Sequence, residues 1–253
     1  MELSIHVFLI VCPLVFLAGF IDSIAGGGGL ISLPAYLIAG IPPQFALGTN
    51  KLSSIAGTAI ASLRYYKNKY VDIILCLPSI AAALIGAAFG SSFALLINEQ
   101  ILRLLLLVVI PVTAFYVFKK KDLDNFDKQL SRKKMVIYSV IISFFIGAYD
   151  GFYGPGTGTF LILLYNGVAK IDARIAAGNA KLVNFASNLS ALILFLVNGR
   201  VLIPLGLCAA LFNMLGAYLG SGLVIHKGTR IIRGTIFVVL LLIFIKILWD
   251  IIQ

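Results

Sequence analysis

The sequence predicts an all-α polytopic membrane protein built from two inverted repeats, each with about five helical segments. Of its 253 residues, 60% are hydrophobic and 12% are charged, whereas soluble domains average about 25% charged residues. Runs that carry no charge and are long enough to cross a bilayer recur along the chain. They lie at residues 73–97, 151–169, 182–199 and 201–225.

A duplicated pattern of Gly, Asp, Lys and Asn divides the chain into two repeats. Hydrophobic matches are common in such a composition, whereas matched glycines and polar residues at one offset indicate a true repeat. With an offset of 130 residues, the matches include Gly48 with Gly178, Lys51 with Lys181, and Asn68 with Asn198. Upstream the offset is 128, and the matches include Gly19 with Gly147, Asp22 with Asp150, and Gly26 with Gly154. We therefore predict a first repeat at 1–118, a charged linker at 119–134 and a second repeat at 135–253.

Apolar runs between polar or glycine-rich stretches predict the helical segments. They cover 5–24, 30–40, 45–66, 71–97 and 101–118 in the first repeat, and 135–152, 158–169, 175–197, 201–225 and 230–250 in the second. The segment at 30–40 provides about 16 Å of helix, half the thickness of the hydrocarbon core. It is predicted to be the short arm of a glycine-broken hairpin, which either spans or re-enters the membrane. Gly86 with Gly90, and Gly216 with Gly220, predict close helix packing.

Lysine and arginine lie mainly in the loops, which predicts the orientation of the chain. The loop with Arg64, Lys67 and Lys69 and the linker, which holds seven Lys or Arg and three Asp, are assigned to the cytoplasm. In the second repeat the bias is reversed, since 198–200 has one basic residue and 226–233 has three. Equivalent loops therefore face opposite sides, and both termini are predicted to lie outside the cytoplasm. The net charge of +10 reflects this topology rather than nucleic-acid binding.

A glycine-rich break follows an aspartate in each repeat. The residues concerned are Gly26, Gly27, Gly28 and Gly29 after Asp22, and Gly154, Gly156 and Thr157 after Asp150. A helix should end at such a break, and the short helix behind it should point its free N–H groups and positive dipole end into the gap. Because inversion would bring both breaks to the middle of the membrane, they predict an anion site. The alternative is close helix packing without a ligand.

A lysine follows each glycine-rich break inside a predicted helix, at Lys51 and Lys181. A charge at the membrane centre costs about 2.5–3.5 kcal/mol on insertion scales, so an intramembrane lysine indicates a functional site. The alternative is that the long side chain reaches the interface by snorkelling. Neighbouring polar residues complete the predicted anion path. They are Asn50 and Ser54 in the first repeat, and Asn179 and Asn184 in the second.

Asp22 and Asp150 have three candidate roles. Each carboxylate could pair with a lysine, carry a proton in coupled transport, or cap the broken backbone. We favour a structural role, because an unpaired negative charge would oppose anion binding.

The motifs of both repeats resemble those of the TauE/SafE sulfite exporter family, also called the 4-toluene sulfonate uptake permease family. The first repeat has Gly-Phe-Ile-Asp-Ser-Ile-Ala-Gly-Gly-Gly-Gly with Ala-Leu-Gly-Thr-Asn-Lys. The second has Gly-Ala-Tyr-Asp-Gly-Phe-Tyr-Gly-Pro-Gly-Thr-Gly with Ala-Gly-Asn-Ala-Lys. The resemblance covers nearly the whole chain. It implies a multi-pass transporter of sulfite, sulfonates or other small organosulfur anions in the inner (cytoplasmic) membrane of a bacterium or archaeon.

The sequence thus predicts a secondary transporter of a small anion that works by alternating access. Its expected partners are that anion and the lipid bilayer, with protons as a candidate coupling ion. No enzymatic activity, cofactor, metal site or nucleic-acid partner is expected. The alternatives are a passive anion channel, or a transporter of a cation or neutral solute in which the lysines only snorkel. The direction of transport and the oligomeric state are left open.

Overall fold

A computed structural model of the chain describes residues 4–97 and 130–228, together with 230–232, 234–236 and 238–239. This part of the chain is helical, which confirms the predicted all-α class. The helices are α1 (Ile5–Ala25), α2 (Gly29–Ile38), α3 (Pro43–Lys67), α4 (Ile73–Leu96), α5 (Arg132–Phe152), α6 (Thr157–Gly167), α7 (Ala173–Val197) and α8 (Ile203–Lys227). Among the described residues, five helices are long and apolar enough to cross a membrane: α1, α4, α5, α7 and α8.

The predicted segments match these helices to within a few residues at each end. The largest difference is at α5, which begins at Arg132 rather than at 135, so the last residues of the predicted linker form its first turn. Arg132 is held there by an ion pair of 2.7 Å with Asp72, the residue before α4. The predicted segment at 101–118 lies outside the described residues, and so does most of the segment at 230–250.

Two short helices, α2 and α6, follow the glycine-rich breaks. With 10 and 11 residues, they are about 15 Å long and reach across half of a bilayer core. α1 ends because Gly26 adopts a left-handed conformation with φ of 81°, which costs little only for glycine. Gly156 adopts the same region, with φ of 84°, directly before α6. The breaks predicted from the glycines are therefore present in both repeats.

The helices pack into two bundles that do not coincide with the two repeats. Bundle 1 consists of α1, α2 and α3 with α8, and bundle 2 consists of α4, α5, α6 and α7. The last described helix of each repeat thus packs on the other repeat, α4 against α5 and α7, and α8 against α1 and α3. The main contact between the bundles is that of α3 with α7. Among the eight described helices, each extensive contact within one repeat or between repeats has a counterpart when the two repeats are exchanged.

Small residues let the helices within each bundle approach closely, as the Gly-x-x-x-Gly pairs predict. A Cβ atom on Gly86 would overlap the carbonyl oxygen of Phe144 in α5, and one on Gly216 would overlap the carbonyl oxygen of Phe16 in α1. Phe144 and Phe16 are themselves equivalent at the offset of 128. The repeat found in the sequence is therefore also a repeat of contacts.

The central helices α3 and α7 run in opposite directions. Gly48, near the start of α3, lies against Phe195, near the end of α7, because a Cβ atom on Gly48 would be 3.0 Å from the Cβ of Phe195. Two inverted repeats require this antiparallel course. Inversion across the membrane stays a prediction.

We expect Gly90→Ala to lower the stability of the protein by about 1–3 kcal/mol, because the added methyl group would overlap the backbone of Ala148 in α5. The matched control is Gly234→Ala, since among the described residues no atom lies within 4 Å of the added methyl group. Thermal unfolding in detergent measures both. Equal melting temperatures for the two variants would contradict the close packing of α4 on α5.

Candidate functional site

The two glycine-rich breaks contact each other where the bundles meet. The backbone N–H of Thr159 donates to the carbonyl oxygen of Gly26 at 3.1 Å, and its hydroxyl donates to the carbonyl oxygen of Ala25 at 2.7 Å. A Cβ atom on Gly26 would overlap the backbone of Gly158, so only glycine permits this crossing. The N-terminal ends of α2 and α6 are thereby brought together.

A small polar pocket lies at this crossing, and each repeat contributes half of its lining. The cavity volume is about 20 Å³, which is enough for about one water molecule. The lining residues are Asp22, Gly26, Gly29, Asn50, Lys51 and Ser54 from the first repeat, and Asp150, Gly154, Thr157, Gly158, Asn184 and Asn188 from the second. Most of the predicted site residues are therefore neighbours in space.

Lys51 forms a buried ion pair with Asp150 of the other repeat. Its Nζ atom is 2.9 Å from Oδ1 of Asp150 and 2.5 Å from the backbone carbonyl oxygen of the same residue. The two side chains are 2% and 3% exposed. Two hydroxyl groups complete the shell of the carboxylate, Thr157 Oγ1 at 2.9 Å from Oδ1 and Ser187 Oγ at 2.7 Å from Oδ2.

Lys181 forms the equivalent ion pair with Asp22 of the first repeat. Its Nζ atom is 2.9 Å from Oδ2 of Asp22 and also donates to the backbone carbonyl oxygen of that residue. The lysine side chain is 0% exposed and the aspartate side chain 19%. Oδ1 of Asp22 accepts a long hydrogen bond of 3.3 Å from the backbone N–H of Gly28.

The two pairs bear on the alternatives left by the sequence. Neither lysine reaches the surface, so the snorkelling alternative is wrong for both. The aspartates pair with the lysines, and Asp22 also caps the broken backbone at Gly28. Each pair joins bundle 1 to bundle 2, with one partner in each. The four charges cancel, as burial in a medium of low dielectric constant requires.

Asparagine side chains supply the uncharged polar groups of the pocket. Asn184 Oδ1 accepts a hydrogen bond of 3.1 Å from Nδ2 of Asn188, one turn further along α7. Asn50 is 6% exposed, and its Oδ1 atom has no hydrogen-bond partner among the described residues. A buried amide oxygen without a partner costs free energy, so Oδ1 of Asn50 can accept a hydrogen bond, and an anion would require the amide to present its N–H₂ group instead.

Five of the residues predicted from the sequence lie outside the lining of the pocket. Lys181 lies behind Asp22, and Gly156 is the left-handed residue before α6. Gly27 packs against Val239 and Gly28 against the end of α1. Asn179 holds the start of α4, because its Oδ1 accepts from the backbone N–H of Asp72 at 2.9 Å.

Sequence reasoning did not include three residues of this region among its candidates. Asn188 lies one turn after Asn184, and its spacing of seven residues from Lys181 places it on the same helix face as both. Ser187 binds the Asp150 carboxylate, and no sequence signal pointed to it. Gly158 lines the pocket through its close contact with Gly26, and the unequal spacing of the two glycine runs obscured it.

Two broken helices that meet at a buried polar pocket are an arrangement also found in secondary transporters. The sequence profile of the family described as Sulfite exporter TauE/SafE matches residues 11–247. The chain belongs to this family, which confirms the resemblance noted in its motifs.

Relatives of similar length carry transporter names. The chain is 37% identical over 249 residues to "Probable membrane transporter protein ORF9" of Sinorhizobium sp, covering 98% of this chain and 95% of the relative. It is 34% identical to a "Probable membrane transporter protein" of Haemophilus influenzae, covering 99% and 98%. It is 35% identical to "Probable membrane transporter protein YfcA" of Escherichia coli K12, covering 92% and 87%. No solved structure matches the chain. The protein is a membrane transporter of the TauE/SafE family.

We expect Lys51→Met to lower the free energy of unfolding by about 3–5 kcal/mol, because it leaves the buried Asp150 charge without a counter-ion. The double variant Lys51→Met/Asp150→Asn should recover much of this loss, since no charge is then left unpaired. The exposed pair of Arg132 with Asp72 provides the control, and Arg132→Met should cost about 1 kcal/mol or less. Unfolding in detergent measures all three. A double variant less stable than Lys51→Met would contradict the pairing.

Proposed function

We propose that this transporter moves a small sulfur oxyanion, such as sulfite or an organosulfonate, through the pocket between the two bundles. The observation that carries the proposal is the convergence of the N-terminal ends of α2 and α6 on that pocket. Gly29 at the start of α2, and Thr157 and Gly158 at the start of α6, all line it. The first N–H groups of a helix have no acceptor within the helix, and the dipole adds positive potential there. The N–H of Thr157 already donates to the carbonyl oxygen of Gly154 at 3.1 Å, so the proposed anion donors are the N–H groups of Gly29 and Gly158.

The charge balance of the pocket favours an anion held by neutral donors. Each lysine is matched by an aspartate, so the attraction comes from helix N-termini and side-chain amides rather than from a free ammonium group. Asn50 can turn an N–H₂ group toward a bound oxyanion, since an amide offers donors on one atom and an acceptor on the other. Lys51 lines the pocket as well and adds positive potential next to its paired carboxylate.

The size of the pocket favours a small substrate and requires movement. Room for about one water molecule is less than an oxyanion with three or four heavy atoms around sulfur needs. The bundles must therefore separate slightly before such an anion can enter. Sulfur oxyanions are proposed because the family is named after sulfite export. The same proposal places the protein in the inner membrane with both of its termini outside the cytoplasm. This orientation rests on the distribution of basic residues.

Alternating access would follow from rocking of bundle 1 against bundle 2. Helices within a bundle pack extensively, whereas the contact between bundles is largely that of α3 with α7. The pocket and both ion pairs lie on the boundary between the bundles, so movement there would expose the pocket to one side and then to the other. These moving bodies are not the two sequence repeats, because α4 belongs to the first repeat but packs in bundle 2, and α8 belongs to the second repeat but packs in bundle 1.

Spin-label distances can distinguish these moving bodies. We use exposed positions, Leu63 in α3, Leu215 in α8, Ile85 in α4 and Ile193 in α7, in a cysteine-free background. On addition of a transported anion, the Leu63–Ile85 distance should change, whereas Leu63–Leu215 and Ile85–Ile193 should stay constant, because the bundles move as units. A constant Leu63–Ile85 distance with a changing Leu63–Leu215 distance would show instead that the repeats are the moving bodies.

Flux in proteoliposomes tests the substrate and the pocket together. We expect the protein to accumulate sulfite or an alkylsulfonate against its gradient, which a passive anion channel does not do.

Asn50→Leu should weaken anion binding by roughly tenfold through loss of a buried hydrogen bond, with an equal or higher melting temperature because the unpartnered oxygen is removed. Asn68→Leu, at the exposed end of α3, is the control and should behave like the wild type. Unchanged anion binding in Asn50→Leu would exclude the pocket as the anion-binding site.

A further inference from the structure

The two lysine–aspartate pairs are equivalent in the repeats, but their carboxylates have different surroundings. Asp150 is 3% exposed and accepts hydrogen bonds from three side chains, those of Lys51, Thr157 and Ser187. Asp22 is 19% exposed, and within the part of the chain that the structure describes it accepts from one side chain, that of Lys181, and from the backbone N–H of Gly28 at 3.3 Å. One carboxylate is enclosed by donors, whereas the other is partly open to the pocket.

Residue differences between the repeats create this asymmetry. The counterpart of Thr157 at the offset of 128 is Gly29, and the counterpart of Ser187 at the offset of 130 is Gly57. Neither glycine has space for a hydroxyl-bearing side chain. A Cβ atom on Gly57 would overlap Oδ1 of Asn213 in α8, and one on Gly29 would be 2.9 Å from Cα of Pro155. The incomplete donor shell of Asp22 is therefore built into the packing.

We propose that Asp22 binds the proton in an anion–proton symport, whereas Asp150 stays ionised throughout the cycle. The inference rests on the proposed anion pocket. An anion in that pocket would face the Asp22 carboxylate, and two negative charges at short range repel each other strongly where water is scarce. A proton taken from the solvent onto a carboxylate oxygen of Asp22 removes this repulsion and creates an O–H donor for the anion.

The charged groups around Asp22 are compatible with the uptake of a proton together with an anion. Lys181 of α7 pairs with it, and Lys51 of α3 and Asp150 of α5 line the pocket beside it. Tyr65 of α3 donates its hydroxyl to the carbonyl oxygen of Ser23 and is the nearby neutral titratable group. When Asp22 is protonated, the Lys181 ammonium group balances the charge of a monovalent anion. The site stays neutral because one proton binds with each such anion.

Proton uptake by the wild-type protein is the direct test. Purified protein in a weakly buffered detergent solution is mixed with sulfate, thiosulfate or methanesulfonate, which keep their charge between about pH 5 and pH 8, and a pH dye records the protons bound. We expect about one proton per anion, and an affinity that rises up to about tenfold for each unit by which the pH falls. For sulfite, which titrates itself, the difference between the wild type and Asp22→Asn gives the count.

The Asp22→Asn variant tests the assignment to this residue. It should take up no proton, and its anion affinity should not change with pH. The control Asp172→Asn, at the exposed start of α7 and away from the pocket, should keep the pH slope. If Asp22→Asn does not fold, Asp22→Glu, which keeps a carboxylate, should retain the uptake. Anion binding by the wild type without proton uptake, or uptake that persists in Asp22→Asn, would overturn the inference. Absence of binding for every anion would overturn the proposed function itself.

Discussion

The structure depends on the need to pair four charges that lie in the interior of a membrane protein. Lys51 and Lys181 are almost fully buried, and a buried charge without a partner is costly. Each pairs with an aspartate of the other repeat, so the charge of each lysine is balanced across the repeats. The pairs also lie on the boundary between the two bundles. The interaction that makes the buried charges tolerable is therefore the same one that holds the bundles together at the pocket.

The broken helices and the ion pairs together form the polar pocket between the bundles. Glycines at the breaks allow two backbones to cross at van der Waals distance, and Thr159 satisfies carbonyl groups that the end of α1 leaves free. The crossing brings two helix N-termini to one pocket, whereas the ion pairs add no net charge. In the proposed transport, a bound anion is held by dipoles and amides rather than by a free charge.

Sequence reasoning reached the helices, the breaks and most of the pocket, because each has a local signal. Glycine runs, intramembrane lysines and a constant offset between Asp22 and Asp150 are visible without a structure. The pairing of Lys51 with Asp150 was not, since it depends on how α3 and α5 meet across the repeats. The exchange of α4 and α8 was also hidden, because apolar faces pack against lipid and protein alike and do not specify a partner. Asn179 has the pattern of a site residue, yet its amide is used to anchor α4.

The position of a bound anion would test the central claim most directly, namely that the pocket between the two bundles is the binding site. A selenium oxyanion such as selenite or selenate can replace its sulfur counterpart, and its anomalous scattering identifies it in crystals. We predict a peak between the starts of α2 and α6, within hydrogen-bonding distance of Asn50 and of the N–H groups at Gly29 and Gly158. A peak elsewhere in the protein, with this pocket empty at a saturating concentration of the anion, would contradict it.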